Sequence, residues 1–309
     1  MHFISLRDFS GEQIQELIDH GIYVKRHRSE FSQAMKGKTL LMLFEKPSLR
    51  TRVSFEAGME HMGGHAIYYD LSTSPRGKGK ETTADLARTA SRYVDLIMAR
   101  LFEHEEIEEL ARYSRVPVIN GLTNFSHPCQ ILADLMTIQE KKGFLTGLHL
   151  AYLGDANNNV THSLLLACPQ VGMSISVGCP AGAEYEPAPE VVAAARESAK
   201  ANGLMVEITS DAQEAVRAAD VVYTDSWMSY HIPEEKREAR FAVFAPFQVT
   251  AGLMSLARSD AVFMHCLPAQ RGVEQTAEVI DGPQSIVFDQ AENRLHAQKA
   301  LMLKLIGVI

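Results

Sequence analysis

The chain has 309 residues, 46% apolar and 22% charged, with 30 Lys plus Arg against 38 Asp plus Glu for a formal charge of −8. That is an ordinary globular mixture, and at roughly 100–200 residues per domain it is long enough for two domains with separate cores. The acidic balance argues against a general nucleic-acid or membrane-surface binder, so any anionic ligand has to be held by a local cluster of cations.

No apolar run approaches the ~20 residues a membrane span needs. The opening Met1-His2-Phe3-Ile4-Ser5-Leu6-Arg7-Asp8 lacks the basic-then-apolar layout of a secretory signal. Four cysteines, Cys129, Cys168, Cys179 and Cys266, lie far apart and form no CxxC pair. They predict reduced thiols in a cytoplasmic protein, with neither a zinc ligand set nor a disulfide framework.

In chain order, short β-branched or apolar runs predict strands at residues 39–44, 66–70, 96–101 and 116–119 in the first half. The second half predicts strands at 148–153, 174–177, 206–209, 221–224, 262–265 and 286–288. Helical patterns lie between most of them. One starts after Ser48 and stops at Gly63-Gly64; a long one spans 128–142 and ends at Gly143; another spans 190–202 and ends at Gly203. The last, 292–306, carries Leu295, Met302 and Ile306 on one side and must pack on something. Strict alternation of β and α predicts an α/β protein with two domains, each a parallel sheet flanked by helices, divided near residue 143. In such folds ligands sit beyond the carboxyl ends of the strands, which directs attention to the residues following each strand.

After the first strand comes Glu45-Lys46-Pro47-Ser48-Leu49-Arg50-Thr51-Arg52. Ser48 is a good N-cap, and the first helical turn behind it offers free N–H groups and a positive dipole end. With the Ser48 and Thr51 hydroxyls and the Arg50 guanidinium, it makes an anion cradle without a glycine-rich loop. A plain capped helix with exposed arginines would show the same pattern. Three further segments bear on the choice. Arg100 ends a strand, where an inward guanidinium is costly unless paired. Ser126-His127-Pro128-Cys129-Gln130 opens the long helix, with Pro128 suited to its first turn and His127 and Gln130 spaced to share a face. Phe263-Met264-His265-Cys266-Leu267-Pro268-Ala269 ends a strand and turns at the proline.

Together these residues resemble the aspartate/ornithine carbamoyltransferase family, and within it the ornithine enzymes. Ser48-Leu49-Arg50-Thr51-Arg52 resembles the family's Ser-x-Arg-Thr-Arg motif, and His127-Pro128-Cys129-Gln130 its second carbamoyl-phosphate segment. His265-Cys266-Leu267-Pro268-Ala269 is similar to the ornithine-enzyme version of a later loop, where aspartate enzymes carry His-Pro-Gly-Pro. The likeness runs to Asp289-Gln290-Ala291-Glu292-Asn293-Arg294 near the end.

The resemblance implies a carbamoyl-phosphate-binding domain at 1–142 with the C-terminal helix, 291–309, returning to it, and an ornithine-binding domain at 143–290. It implies a homotrimer or a multiple of trimers with active sites between subunits, closure of the domains on the second substrate, and no metal or organic cofactor. Carbamoyl phosphate would be held by Ser48, Leu49, Arg50, Thr51, Arg76, Arg100, His127, Gln130, Cys266, Leu267 and Arg294. Arg76 belongs to a loop, 72–81, that in relatives reaches a neighbouring subunit; a solvated basic turn is the plainer alternative. Ornithine would be held by Asn159, Asp225, Ser229, Tyr230 and Cys266, with Thr51, Arg100, His127 and Cys266 at the chemistry. An amide suits an amino acid's α-carboxylate and α-ammonium because it is donor and acceptor at once, although Asn159 also fits an Asx-rich turn, and Asp225 a helix cap.

Departures from the pattern are Tyr230 and His231 after Ser229, Gln270 before Arg271-Gly272, and Leu49 in place of a threonine. The Ser229-Tyr230-His231 loop keeps open another amine as acceptor: putrescine, lysine or an acylated ornithine. Asp225 argues against the last, which has no free α-ammonium. A silent anion-binding paralogue is opposed by the full set of residues above, and a nucleotide-dependent oxidoreductase by the lack of GxGxxG after a strand. The implied reaction is carbamoyl phosphate plus L-ornithine giving L-citrulline and phosphate, in arginine metabolism.

Overall fold

A computed structural model describes residues 1–74, 79–228 and 232–309. Arg76, Ser229, Tyr230 and His231 therefore lie outside the described residues. The chain divides into two compact units, Met1–Glu140 with Glu292–Ile309, and Lys141–Ala291.

The first unit contains α1 (Gly11–Arg26), β1 (Thr39–Phe44), α2 (Leu49–His61), β2 (His65–Asp70), α3 (Thr83–Ala90), β3 (Leu96–Arg100), α4 (His104–Tyr113), β4 (Val118–Leu122) and most of α5 (Pro128–Lys142). Its described strands form a parallel sheet in the order β2-β1-β3-β4. Leu43, Ile97 and Ala99 from the sheet pack with Ile107 and Leu110 of α4 and Ala87 and Ala90 of α3. The expected strand at 116–119 is displaced to Val118–Leu122. Pro117 has no N–H for the ladder. Further along, Asn120 is retained in the interior because its side-chain amide donates to the Ile4 carbonyl at 2.9 Å. The register slips between Ala99 and Arg100 opposite Gly121, where a Cβ would lie 2.5 Å from Met98 Sδ, so a larger residue would force Met98 to shift.

The second unit contains β5 (His149–Leu153), α6 (Asn159–Ala167), β6 (Ser174–Gly178), α7 (Pro189–Ala201), β7 (Val206–Thr209), α8 (Ala212–Val216), β8 (Val221–Thr224), α9 (Arg237–Phe244), α10 (Ala251–Met254), β9 (Val262–His265), α11 (Ala277–Ile280) and the start of α12 (Val287–Leu305). Its described strands form a parallel sheet in the order β7-β6-β5-β8-β9. Leu153, Val222 and Phe263 meet Ala215 and Val216 of α8 in its core.

The strand expected at 286–288 does not form. Only Ser285 bridges Phe263, and Val287 already opens α12. Ile286-Val287-Phe288 has strand propensity, but Val287, Gln290, Asn293 and Arg294 are buried at helical spacing while Phe288 is exposed. Burial overrides the local preference. The helix therefore starts five residues before the expected 292. From Glu292 on it packs in the first unit: a Cβ at Gly58 would meet Met302 at 3.3 Å and Lys299 at 3.4 Å, so the missing side chain seats α12 against α2. No helix among the described residues is long and apolar enough to cross a membrane.

Candidate active site

In the first sheet the chain order reverses at β1 and β3, the switch point where a crevice opens beyond the strand ends. Ser48 follows β1 and caps α2, its Oγ accepting from the Thr51 N–H at 3.2 Å. The Ser48 hydroxyl also donates to Thr51 Oγ1 at 3.2 Å. Leu49 points its side chain to solvent, which leaves only its backbone N–H to the cradle. Arg52 faces away, stacked 4.0 Å over Tyr68 and paired with Glu56.

Arg294 of α12 links the expected segments. Its Nη1 donates to Gln130 Oε1 at 2.6 Å, its Nη2 to Thr51 Oγ1 at 3.3 Å and its Nε to Gln298 Oε1 at 3.0 Å. The Gln130 amide nitrogen donates to Asp134 at 2.8 Å, so its orientation is fixed from both ends. His127 is buried at the start of α5. Burial, then Arg294, Arg100, Lys46 and Arg50, hold its pKa well below the usual imidazole range. It is a neutral ring within the field of four cations. The structure thus gathers Thr51, Gln130 and Arg294 by direct contact, and Arg50, Arg100 and His127 by mutual electrostatics.

Lys46 belongs to this group and was not singled out by the sequence. It is buried, donates from Nζ to Asn124 Oδ1 at 2.8 Å, and lies 4.5 Å from the Phe102 ring centre. The available signal was a lysine immediately beyond a buried strand, two residues before a helix cap.

In the second sheet the order reverses at β5 and β8. Gly154 has φ 117°, and a Cβ there would fall 2.7 Å from Trp227 Nε1, so the two loops meet at a glycine. Asn158, rather than Asn159, caps α6, its Oδ1 accepting from Val160 and Thr161 N–H at 2.9 Å. Asn159 is then the first helical residue and half-buried. Asp225 follows β8 and accepts from the Ser226 N–H at 2.7 Å and from the Cys266 thiol at 2.9 Å. Asp155 is buried against Arg240 of α9, which also donates to the Trp227 carbonyl at 3.0 Å. Burial pushes the Asp155 carboxyl up to about 7, opposed by Arg240.

His265 is buried and accepts the Leu267 N–H on Nδ1 at 2.9 Å, which places the proton of its neutral form on Nε2. Leu267, half-buried, sits at φ 57°, a conformation a branched residue adopts only when its surroundings impose it. The thiol of Cys266 is turned to Asp225. Sequence spacing shows no metal ligand set, yet the fold brings donor atoms of Asp225, His265 and Cys266 within 4.8 Å of one another. In the structure those donors serve one another and the loop backbone. The buried partners Asp155 and Arg240 are 85 residues apart, and no local pattern announces them.

Comparison with known proteins agrees with this layout along the whole chain. Residues 1–140 match the family model of the aspartate/ornithine carbamoyltransferase carbamoyl-P binding domain, and residues 146–305 that of the Asp/Orn binding domain. The ornithine carbamoyltransferase of Anoxybacillus flavithermus is 52% identical over 306 residues, 98% of this chain and 96% of the relative. A Pyrococcus furiosus relative named "Ornithine carbamoyltransferase, anabolic" is 48% identical over 99% of this chain and 96% of its own length. The solved structure of ornithine carbamoyltransferase from Pyrococcus furiosus superposes with a TM-score of 0.94 at 47% identity, over 100% of this chain and 97% of that one. With both domain models matched and half of all positions shared with full-length relatives, the chain belongs to the aspartate/ornithine carbamoyltransferase family.

Proposed function

We propose that the chain transfers the carbamoyl group of carbamoyl phosphate to the side-chain amine of L-ornithine, giving L-citrulline and phosphate, in arginine metabolism. The observation that carries this reading is the single Arg294 guanidinium joining Thr51 of the phosphate motif to Gln130 of the carbamoyl segment.

Ser48, the Leu49 N–H, Arg50 and Thr51 hold the phosphate at the positive end of α2. The neutral δ-amine attacks the carbonyl carbon, and a C–N bond forms as charge builds on the carbonyl oxygen. Thr51, Arg100 and neutral His127 stabilise that oxygen; Gln130 and Arg294 orient the carbamoyl amide. Collapse breaks the C–O bond to phosphate, and the departing phosphate takes up the proton that the amine loses. Most of the acceleration comes from positioning and fixed dipoles, so no covalent enzyme intermediate is involved. Asp225 takes the α-ammonium, Asn159 contacts both the α-carboxylate and the α-amino group, and Cys266 lies near the attacking amine with the Leu267 backbone beside the carbamoyl group. Ser229, Tyr230 and Arg76, which the family resemblance adds to the two substrate sites, lie outside the described residues.

The assembly in this reading is a homotrimer or a multiple of trimers in the cytoplasm. It is supported by exposed Leu49, Val53, Ile67 and Tyr69 on α2 and the edge strand β2, apolar side chains a monomer gains nothing by exposing. The test is incubation with carbamoyl phosphate and a panel of amines, following ureido product and phosphate. Ornithine is expected to dominate; a preference for putrescine, lysine or N-acetylornithine would overturn the acceptor, and phosphate release without any ureido product would overturn the transferase.

A further inference from the structure

We infer that Gln298 is a positioning residue of the carbamoyl-phosphate half-site: its amide oxygen fixes the Arg294 guanidinium against the first turn of α2 without adding negative charge beside it. This rests on the reading of the first unit as the carbamoyl-phosphate half-site.

Gln298 follows Arg294 by four residues on α12, so the two side chains share a face of the helix. It is fully buried. Arg294 Nε donates to Gln298 Oε1 at 3.0 Å. A guanidinium nitrogen can only donate, so the atom that meets it is the amide oxygen and not the amide nitrogen. The same oxygen lies 3.2 Å from the Ser54 hydroxyl, which donates to the Arg50 carbonyl at 2.6 Å. Gln298 thus ties α12 to the turn of α2 that carries Arg50 and Thr51. With Nε on Gln298, Nη1 on Gln130 and Nη2 on Thr51, the plane of the guanidinium is set from three sides, each time by a neutral oxygen.

Packing alone does not explain this side chain. Gln298 Nε2 is buried and has no hydrogen-bond partner among the described residues. An unpaired amide nitrogen in the interior is a cost that Leu or Met would avoid, and it is offset by what the oxygen holds. Nor does stability explain the choice of an amide. Glutamate has the same length and would bind Arg294 more strongly through a charge-assisted hydrogen bond. It would also set a carboxylate next to a guanidinium that faces an anionic ligand, where like charges repel. Stability and ligand binding pull in opposite directions at this position, and the amide serves binding.

The experiment compares the intact wild type with Gln298→Glu and Gln298→Met. Each is melted without ligand, titrated calorimetrically with a hydrolysis-resistant phosphonate analogue of carbamoyl phosphate, and assayed for kcat and KM with ornithine saturating. Gln298→Glu should melt no lower than wild type yet bind the analogue more weakly by about tenfold or more. Gln298→Met frees Arg294 Nε and should raise the KM for carbamoyl phosphate by about threefold or more. A stable Glu variant that binds the analogue as tightly as wild type overturns the inference. So does a Met variant with a lower Tm and an unchanged KM for carbamoyl phosphate, which is what a purely structural residue would give. If Gln298→Glu does not fold, or loses stability together with affinity, Gln298→Met alone decides: a raised KM for carbamoyl phosphate supports the positioning role and an unchanged one overturns it. Either overturning result leaves the half-site intact. Failure of wild type to bind the analogue overturns the half-site itself, and the inference with it.

Discussion

Arg240 and Asp155 pair their charges with both side chains buried, although 85 residues separate them in the chain. The same guanidinium holds the Trp227 carbonyl, so it ties the loop after β5 to the loop carrying Asp225. Arg240→Ala leaves the Asp155 carboxyl, already pushed up to about 7 by burial, without the cation that opposes that rise, so it stays protonated at neutral pH and the loss falls below the about 3–5 kcal/mol of a broken, fully charged pair. Urea unfolding will read it. Arg240→Lys keeps a charge but not the forked geometry, and is expected to raise the KM for ornithine with little change in affinity for a carbamoyl-phosphate analogue. An unchanged KM in a folded Lys variant would remove the positioning role.

Arg100→Ala and Arg50→Ala each take a permanent cation from the anion cradle. Each is expected to lower kcat/KM by more than tenfold, about 1.4 kcal/mol of transition-state stabilisation. A smaller loss in steady-state assays would place the phosphate elsewhere.

Cys266 donates to Asp225, and the proposed mechanism gives it a binding role and no covalent step. Cys266→Ala should weaken ornithine binding through the disturbed Asp225 but retain turnover. Complete loss, with a carbamoylated protein trapped in the wild type by rapid quenching and mass spectrometry, would reverse that assignment.

The attacking amine must be unprotonated. With carbamoyl phosphate saturating, kcat/KM for ornithine should climb from neutral pH towards the amine's own pKa, and neutral His127 should add no break near its ordinary value, since its pKa lies well below it. A flat profile under chemistry-limited conditions would contradict the mechanism.

Lys299 on α12 is fully buried and its Nζ finds no hydrogen-bond acceptor among the described residues. Burial, then Arg28, brings it down to about 8. The unfolded chain therefore holds more protons than the folded one between about pH 8 and the ordinary lysine value, and folding is stabilised as pH rises through that window, by at most about 3 kcal/mol. Lys299→Met should lose this pH dependence and melt no lower than wild type at neutral pH. A Met variant whose Tm tracks the wild type's across the window would contradict it.

Much of this protein is local, and what is local was legible in the sequence. Alternation of apolar runs with capped amphipathic segments defined parallel α/β units; Ser48 announced its own helix end, and the carboxyl ends of strands pointed to Arg100, Asp225 and Cys266. Those features depend on neighbours within a few residues, where propensity and spacing act directly. What only the tertiary structure decided depends on distant partners. Ile286-Val287-Phe288 reads as a strand until burial of Val287 and Gln290 makes it the start of a helix. The joining of Arg294 to Thr51 spans 243 residues, and the lowered ammonium of Lys46 reflects the company of Arg100 and the exclusion of water. Desolvation and long-range electrostatics come into being only when the chain has closed around a group, and no short stretch of residues encodes them.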